Sequence, residues 1–138
     1  MNLEQTTTVT INNKAYEVAL PTTGQQMDIE NKKMFLSSNT YRDLVLTGTR
    51  SAKYNLLLID ALAAFTVLIP ALGKDLGVDN YLDLPPFVGK EVVKAYKKDF
   101  YPWWQAFLKE LYSGLDDEEE TDEQASGETD SSASQGEQ

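Results

Sequence analysis

Residues 56–72 read LLLIDALAAFTVLIPAL, an apolar stretch broken by a single charge, Asp60, and a single proline, Pro70. Its length approaches the roughly 20 apolar residues that a bilayer span needs. A carboxylate in hydrocarbon costs about 2.5–3.5 kcal/mol, Pro70 cuts the run short, and no aromatic and basic belt frames both ends. The stretch therefore reads as a helix buried at the centre of a globular protein, apolar around most of its circumference. No membrane association is expected.

Charge divides the chain in two. It carries 12 basic and 22 acidic residues, a net charge of −10. Ten of the acids (Asp116, Asp117, Glu118, Glu119, Glu120, Asp122, Glu123, Glu128, Asp130 and Glu137) lie in 116–138 with no Lys or Arg, so 1–115 holds 12 of each sign. The low pI describes a tail. That tail has only Ala125 and Ala133 as apolar residues and cannot offset the entropy of ordering. The expected organisation is a single mainly helical domain over 1–115 and a disordered acidic tail over 116–138. A body of that size can bury one modest core. Zero cysteines exclude disulfides and thiolate metal sites, as a reducing compartment would favour. The first residues lack a cationic and an apolar signal region, so the expected location is the cytoplasm.

The fold class expected is mostly α, an N-terminal β-hairpin followed by about five helices. Thr7, Val9 and Ile11 alternate with Thr8 and Thr10, Tyr16, Val18 and Leu20 alternate with Glu17 and Ala19, and Asn12-Asn13 between them suits a two-residue turn. That loop sets Val9 opposite Tyr16 and Thr7 opposite Val18. Thr23 with Gln26 matches a capping box and opens a helix to about Ser37, with Met27, Asn31, Met34 and Phe35 along one side and Ile29 and Leu36 widening it. A short helix around Tyr41, Leu44 and Val45 ends at Gly48. Ser51 caps the central helix, and one helical turn falls near Lys74 to Leu76. Pro86 starts the next helix, since its missing N–H costs nothing there. Pro102 breaks or kinks it and begins a last helix that ends at Gly114.

Little in the chain points to catalysis. It has no His or Cys, which removes the commonest general base and metal ligand. No P-loop, nucleophile elbow or clustered oxygen-ligand loop occurs. No enzyme activity, cofactor or metal is expected. Asp60 should be paired, with Lys53, Lys94 or a backbone donor, or turned toward a groove or subunit interface. Two surfaces are candidates for binding a protein partner. Phe100, Tyr101, Trp103, Trp104, Phe107 and Tyr112 gather both tryptophans, and such side chains anchor interfaces, although the spacing of Trp104, Leu108 and Leu111 also suits a core face. Lys90, Lys94, Lys97 and Lys98 fall at i, i+4, i+7 and i+8, a basic face that is either solvated or receives an acidic partner. With no net positive charge on the body, no nucleic acid is expected to bind.

The segment TTGQQMDIENKKMFLSSNTYRDLVLTGTRSA, followed by LLLIDALAAFTVLIP, resembles the small tail-assembly chaperones of tailed bacteriophages over about a third of the chain. A hairpin, a helical body and an acidic, low-complexity C-terminus share that look. The resemblance implies a chaperone in the host cytoplasm that binds the long, apolar tape-measure protein before the tail tube forms. It also implies exposed apolar surface on the central and C-terminal helices, a solubilising tail and, in many members, a longer frameshifted product. Two other roles fit the same residues: a virion structural or tail-completion protein whose hairpin adds a strand to a neighbour, and a decoy whose acidic tail occupies the basic cleft of a nucleic-acid-binding protein. The oligomeric state, including a homo-oligomer, is left open.

Overall fold

A computed structural model describes residues 3–115; the tail expected to be disordered, 116–138, lies outside them. Strands β1 (Thr6–Ile11) and β2 (Lys14–Ala19) form an antiparallel hairpin in which Val9 pairs with Tyr16 and Thr7 with Val18, as the alternation requires. Asn12 and Asn13 both take positive φ, 51° and 66°, which asparagine tolerates better than most residues. Val9, Ile11 and Val18 turn inward and are buried.

Helix α1 (Thr23–Leu36) begins one residue earlier than the capping box expected at Thr23. Thr22 is the cap: its hydroxyl accepts from Gln25 N at 3.1 Å, and Gln25 Oε1 accepts from Thr22 N at 2.9 Å. The doubled Thr-Thr and Gln-Gln offer both registers, and the pattern alone cannot separate them. The buried side of α1 carries Ile29 and Leu36, whereas Met27, Met34 and Phe35 face outward. Polar residues lie on every side of α1, so its orientation follows the Ile29 and Leu36 contacts and not a distinct apolar stripe. Ser38 and Asn39, both at positive φ, turn the chain into α2 (Tyr41–Thr47), which ends at Gly48 with φ of 70°.

The central helix α3 (Arg50–Leu68) is capped by Thr49, whose hydroxyl accepts from Ala52 N at 3.1 Å; Ser51 lies within the first turn. By length and composition α3 could cross a bilayer. Here α1, α2, α4 (Leu72–Leu76) and α5 (Pro86–Ala95) pack on it. A 3₁₀ turn at Tyr81–Asp83, capped by Asn80, leads into α5, where Pro86 holds the first helical position.

The break expected at Pro102 takes another form. The chain stays helical from α5 through a π turn at Tyr96–Phe100 into α6 (Tyr101–Tyr112). Tyr101 N reaches back five residues to Tyr96 O. The wider turn accommodates a proline whose ring would otherwise meet a carbonyl one turn back.

Contacts divide the chain into two units, Met1–Trp104 and Gln105–Gln138. In the first, Phe65, Tyr96, Phe100, Trp103 and Trp104 form an aromatic cluster in the core, with the Phe65 and Phe100 centroids 5.3 Å apart, edge to face. The hairpin seals its lower side: Thr7 Oγ1 donates to Asp99 O at 3.2 Å, and Trp103 Nε1 donates to Glu4 O at 2.9 Å. In the second unit, α6 finishes and Gly114 (φ 83°) follows it.

Candidate functional site

An apolar groove runs along one side of α3 from Tyr54 to Leu62. Tyr54, Leu58 and Leu62, spaced i, i+4 and i+8, form its floor, because such residues stack on one side of a helix. Two hollows lie on this ridge and share Leu58, Leu62 and Leu82. One, about 280 Å³, is walled by Tyr81, Leu84, Pro85, Pro86 and Gly89. The other, about 260 Å³, is walled by Leu36, Thr40, Leu44 and Asn55. Neither hollow is lined by a charged side chain. Gly89 of α5 faces this ridge, and a Cβ there would sit in ordinary contact with Leu58 Cδ1, at 3.5 Å. Leu82 is 57 % exposed and Phe87, next to the Pro85-Pro86 wall in sequence, 78 %. A larger hollow of about 570 Å³ between α1 and α3 is lined by Gln25, Asp28, Asn31, Lys32, Phe35, Thr66 and Val67 and differs in carrying the charged side chains Asp28 and Lys32.

The sequence pointed elsewhere. Phe100 is fully enclosed, and Trp103 is 9 % exposed with its indole N–H engaged. Both build the core, and a partner reaches Phe100 only by opening it. Tyr101, 44 % exposed, meets solvent, and Trp104 is half-buried against the core. Phe107 and Tyr112 belong to the second unit, the former half-buried and the latter exposed. Lys90, Lys94, Lys97 and Lys98 are all exposed. Only Lys90 and Lys94 keep regular helical spacing, since the π turn carries Lys97 and Lys98. Acids interleave with these lysines. Glu91 lies 3.6 Å from Lys94, and a hollow beside the Asn12-Asn13 turn is lined by Lys94 and Lys98 together with Glu91 and Asp99.

Asp60 has partners, though not Lys53 or Lys94. Tyr41 OH donates to its Oδ1 at 2.6 Å, and Lys33 Nζ stands 3.9 Å away while bonding Glu30 at 3.1 Å. This cluster ties α2 and α1 to α3. Burial pushes the Asp60 carboxyl above the usual carboxylate range; the Lys33 charge and the Tyr41 hydrogen bond pull it back, and Glu30 adds to the rise. Burial, then Asp60, also raises the Tyr41 and Tyr96 phenols.

A carboxyl whose folded pKa is raised gives stability that is full below its unfolded pKa, near 4, and lost as pH rises through the folded value. Asp60→Asn should therefore remove a decline in stability on going upward from about pH 4. Asp75 has the opposite sign, since hydrogen bonds from Lys14 and Tyr16 hold it below its usual range, and it acts below that window. Urea unfolding of both proteins from pH 4.5 to 7.5 checks this: parallel curves would show that Asp60 is not the source.

Among the described residues, no three His, Cys, Asp or Glu side chains group as a metal site would require. Set against known protein families, curated proteins and solved structures, the chain matches none.

The C-terminal aromatics are conspicuous in the sequence because they are large and periodic. The groove is not, because 82–87, LDLPPF, sits in a turn-rich stretch with no period to read. The available signal was that contrast: apolar residues without a regular face to bury tend to remain at the surface.

Proposed function

We propose that this chain is a non-enzymatic tail-assembly chaperone of a tailed bacteriophage, acting in the host cytoplasm, and that its α3 groove holds an apolar helical segment of a client such as the tape-measure protein. The observation that carries this reading is the uncharged double hollow over Tyr54, Leu58 and Leu62. A ridge of residues four apart is the surface that a second helix packs against. Two hollows each below 300 Å³ are of a size for single large side chains. Burying two such side chains contributes about 1.5–3 kcal/mol each, and association entropy opposes much of that. The resulting grip is weak and reversible, which suits a chaperone that releases its client. The acidic 116–138 segment adds solubility to a complex with an apolar partner.

Co-expression with the tape-measure protein is the test. The client is expected to move into the soluble fraction and to co-purify with this chain. A client that stays equally insoluble, with no complex recovered, contradicts the proposal.

A further inference from the structure

The two edges of the hairpin are treated differently. On β1, the outward Thr10 N–H donates to Asp99 Oδ2 at 3.0 Å, and the π turn lies alongside. On β2, Ala15, Glu17 and Ala19 point their backbone groups away from β1, because Lys14, Tyr16 and Val18 hold the ladder positions that follow from the two-residue turn. All three are exposed, and among the described residues no hydrogen bond reaches their N–H groups. β2 is also held in place. Lys14 Nζ and Tyr16 OH both donate to Asp75 Oδ2 at 2.8 Å, which fixes the strand on α4. A rigid strand with unpaired N–H and C=O groups is a template for another strand, and a two-stranded sheet gains stability from a third.

The charge on this edge selects the occupant. Glu17 stands at its centre, on the outer face, with no ion-pair partner among the described residues. In a second copy of this chain, antiparallel pairing that sets Ala15 against Ala19 sets Glu17 against Glu17, and like charges directly opposite are unfavourable. We infer that the β2 edge receives an extended segment of a different protein, carrying a lysine or arginine opposite Glu17. This interface is separate from the α3 groove and does not depend on what the groove binds.

Two synthetic peptides test it on the full chain: acetyl-Thr-Val-Thr-Lys-Thr-Val-Thr-amide and the same peptide with Glu in place of Lys. Amide exchange is followed by NMR during titration to millimolar peptide. The lysine peptide is expected to slow exchange at Ala15, Glu17 and Ala19 and to leave Thr10 unchanged. The glutamate peptide should bind at least about 2- to 5-fold more weakly, from the size of one cross-strand charge pair. Glu17→Lys should reverse that order, and Glu17→Gln should equalise the two peptides. No protection of the β2 amides with either peptide overturns the inference. So does equal binding of both peptides to the unaltered chain, or protection without peptide that grows with protein concentration, the mark of a second copy on this edge.

Discussion

Phe100→Ala is expected to lower the free energy of unfolding by about 3–5 kcal/mol, the cost of truncating an enclosed phenylalanine. Its ring has no exposed surface and meets four others: Phe65 at 5.3 Å, Tyr96 at 5.4 Å, Trp103 at 5.7 Å and Trp104 at 5.2 Å between centroids. Phe65 comes from α3 and Tyr96 from the π turn, so the cavity would open where two elements and the hairpin meet. Domains of this size have about 5–15 kcal/mol in total, so the variant should lose a large share of its stability. Tyr101→Ala, one residue along, should cost about 1 kcal/mol or less, because that ring is 44 % exposed and, among the described residues, its ring contact is with Tyr96. Urea titrations of the two variants check the contrast. Equal costs would mean that the aromatic cluster is not the core.

The second large effect concerns binding. Leu82→Asp should leave folding nearly intact, since more than half of the side chain already meets water and such sites usually change stability by about 0.5 kcal/mol. It should nevertheless abolish client capture. Leu82 is shared by both hollows, so a client seated there would desolvate the new carboxylate with no charged group in the lining to pair with it. Such a burial costs about 3 kcal/mol or more, a loss of over about 100-fold in affinity. Leu82→Lys should do the same, because the penalty comes from desolvation and not from the sign of the charge. Capture that survives one of these changes and not the other would point to electrostatic steering instead of an apolar groove.

The hairpin could be read residue by residue. Alternation and an Asn-Asn turn leave one register, and a slip of one residue would expose Val9, Ile11 and Val18. The mostly helical body, with a hairpin before it, was legible for a similar reason: Pro86, Gly48 and the apolar run at 56–72 are strong local signals. Local ambiguity limited the rest. Thr22 and Thr23 are equivalent as caps on paper, and Thr49 precedes the expected Ser51 by two residues. The side of α1 expected to be apolar, with Met27, Met34 and Phe35, is the exposed one; Ile29 and Leu36 form the buried side, and with apolar residues on both sides the spacing does not choose between them. Pro102 signalled a disruption, but a π turn and a break answer the same steric demand, and only packing of Phe100 and Trp103 decides between them. Asp60 was recognisable as a group that needs partners. Its partners Tyr41 and Lys33 come from two other helices, and no spacing rule names them. The groove depends on three separated segments meeting at Leu58, Leu62 and Leu82, which is tertiary information.

The central claim is that recognition belongs to the neutral helical body and its groove, while the charge of the acidic segment serves solubility. It is tested most directly by quantitative co-purification of a tape-measure client with three forms: the full chain, the chain truncated after Leu115, and full-length Leu82→Asp. The expected result is the same client-to-chain ratio for the full and truncated forms, with lower solubility after truncation, and loss of the client from Leu82→Asp. Loss of the client on truncation, with retention by a folded Leu82→Asp protein, would contradict it.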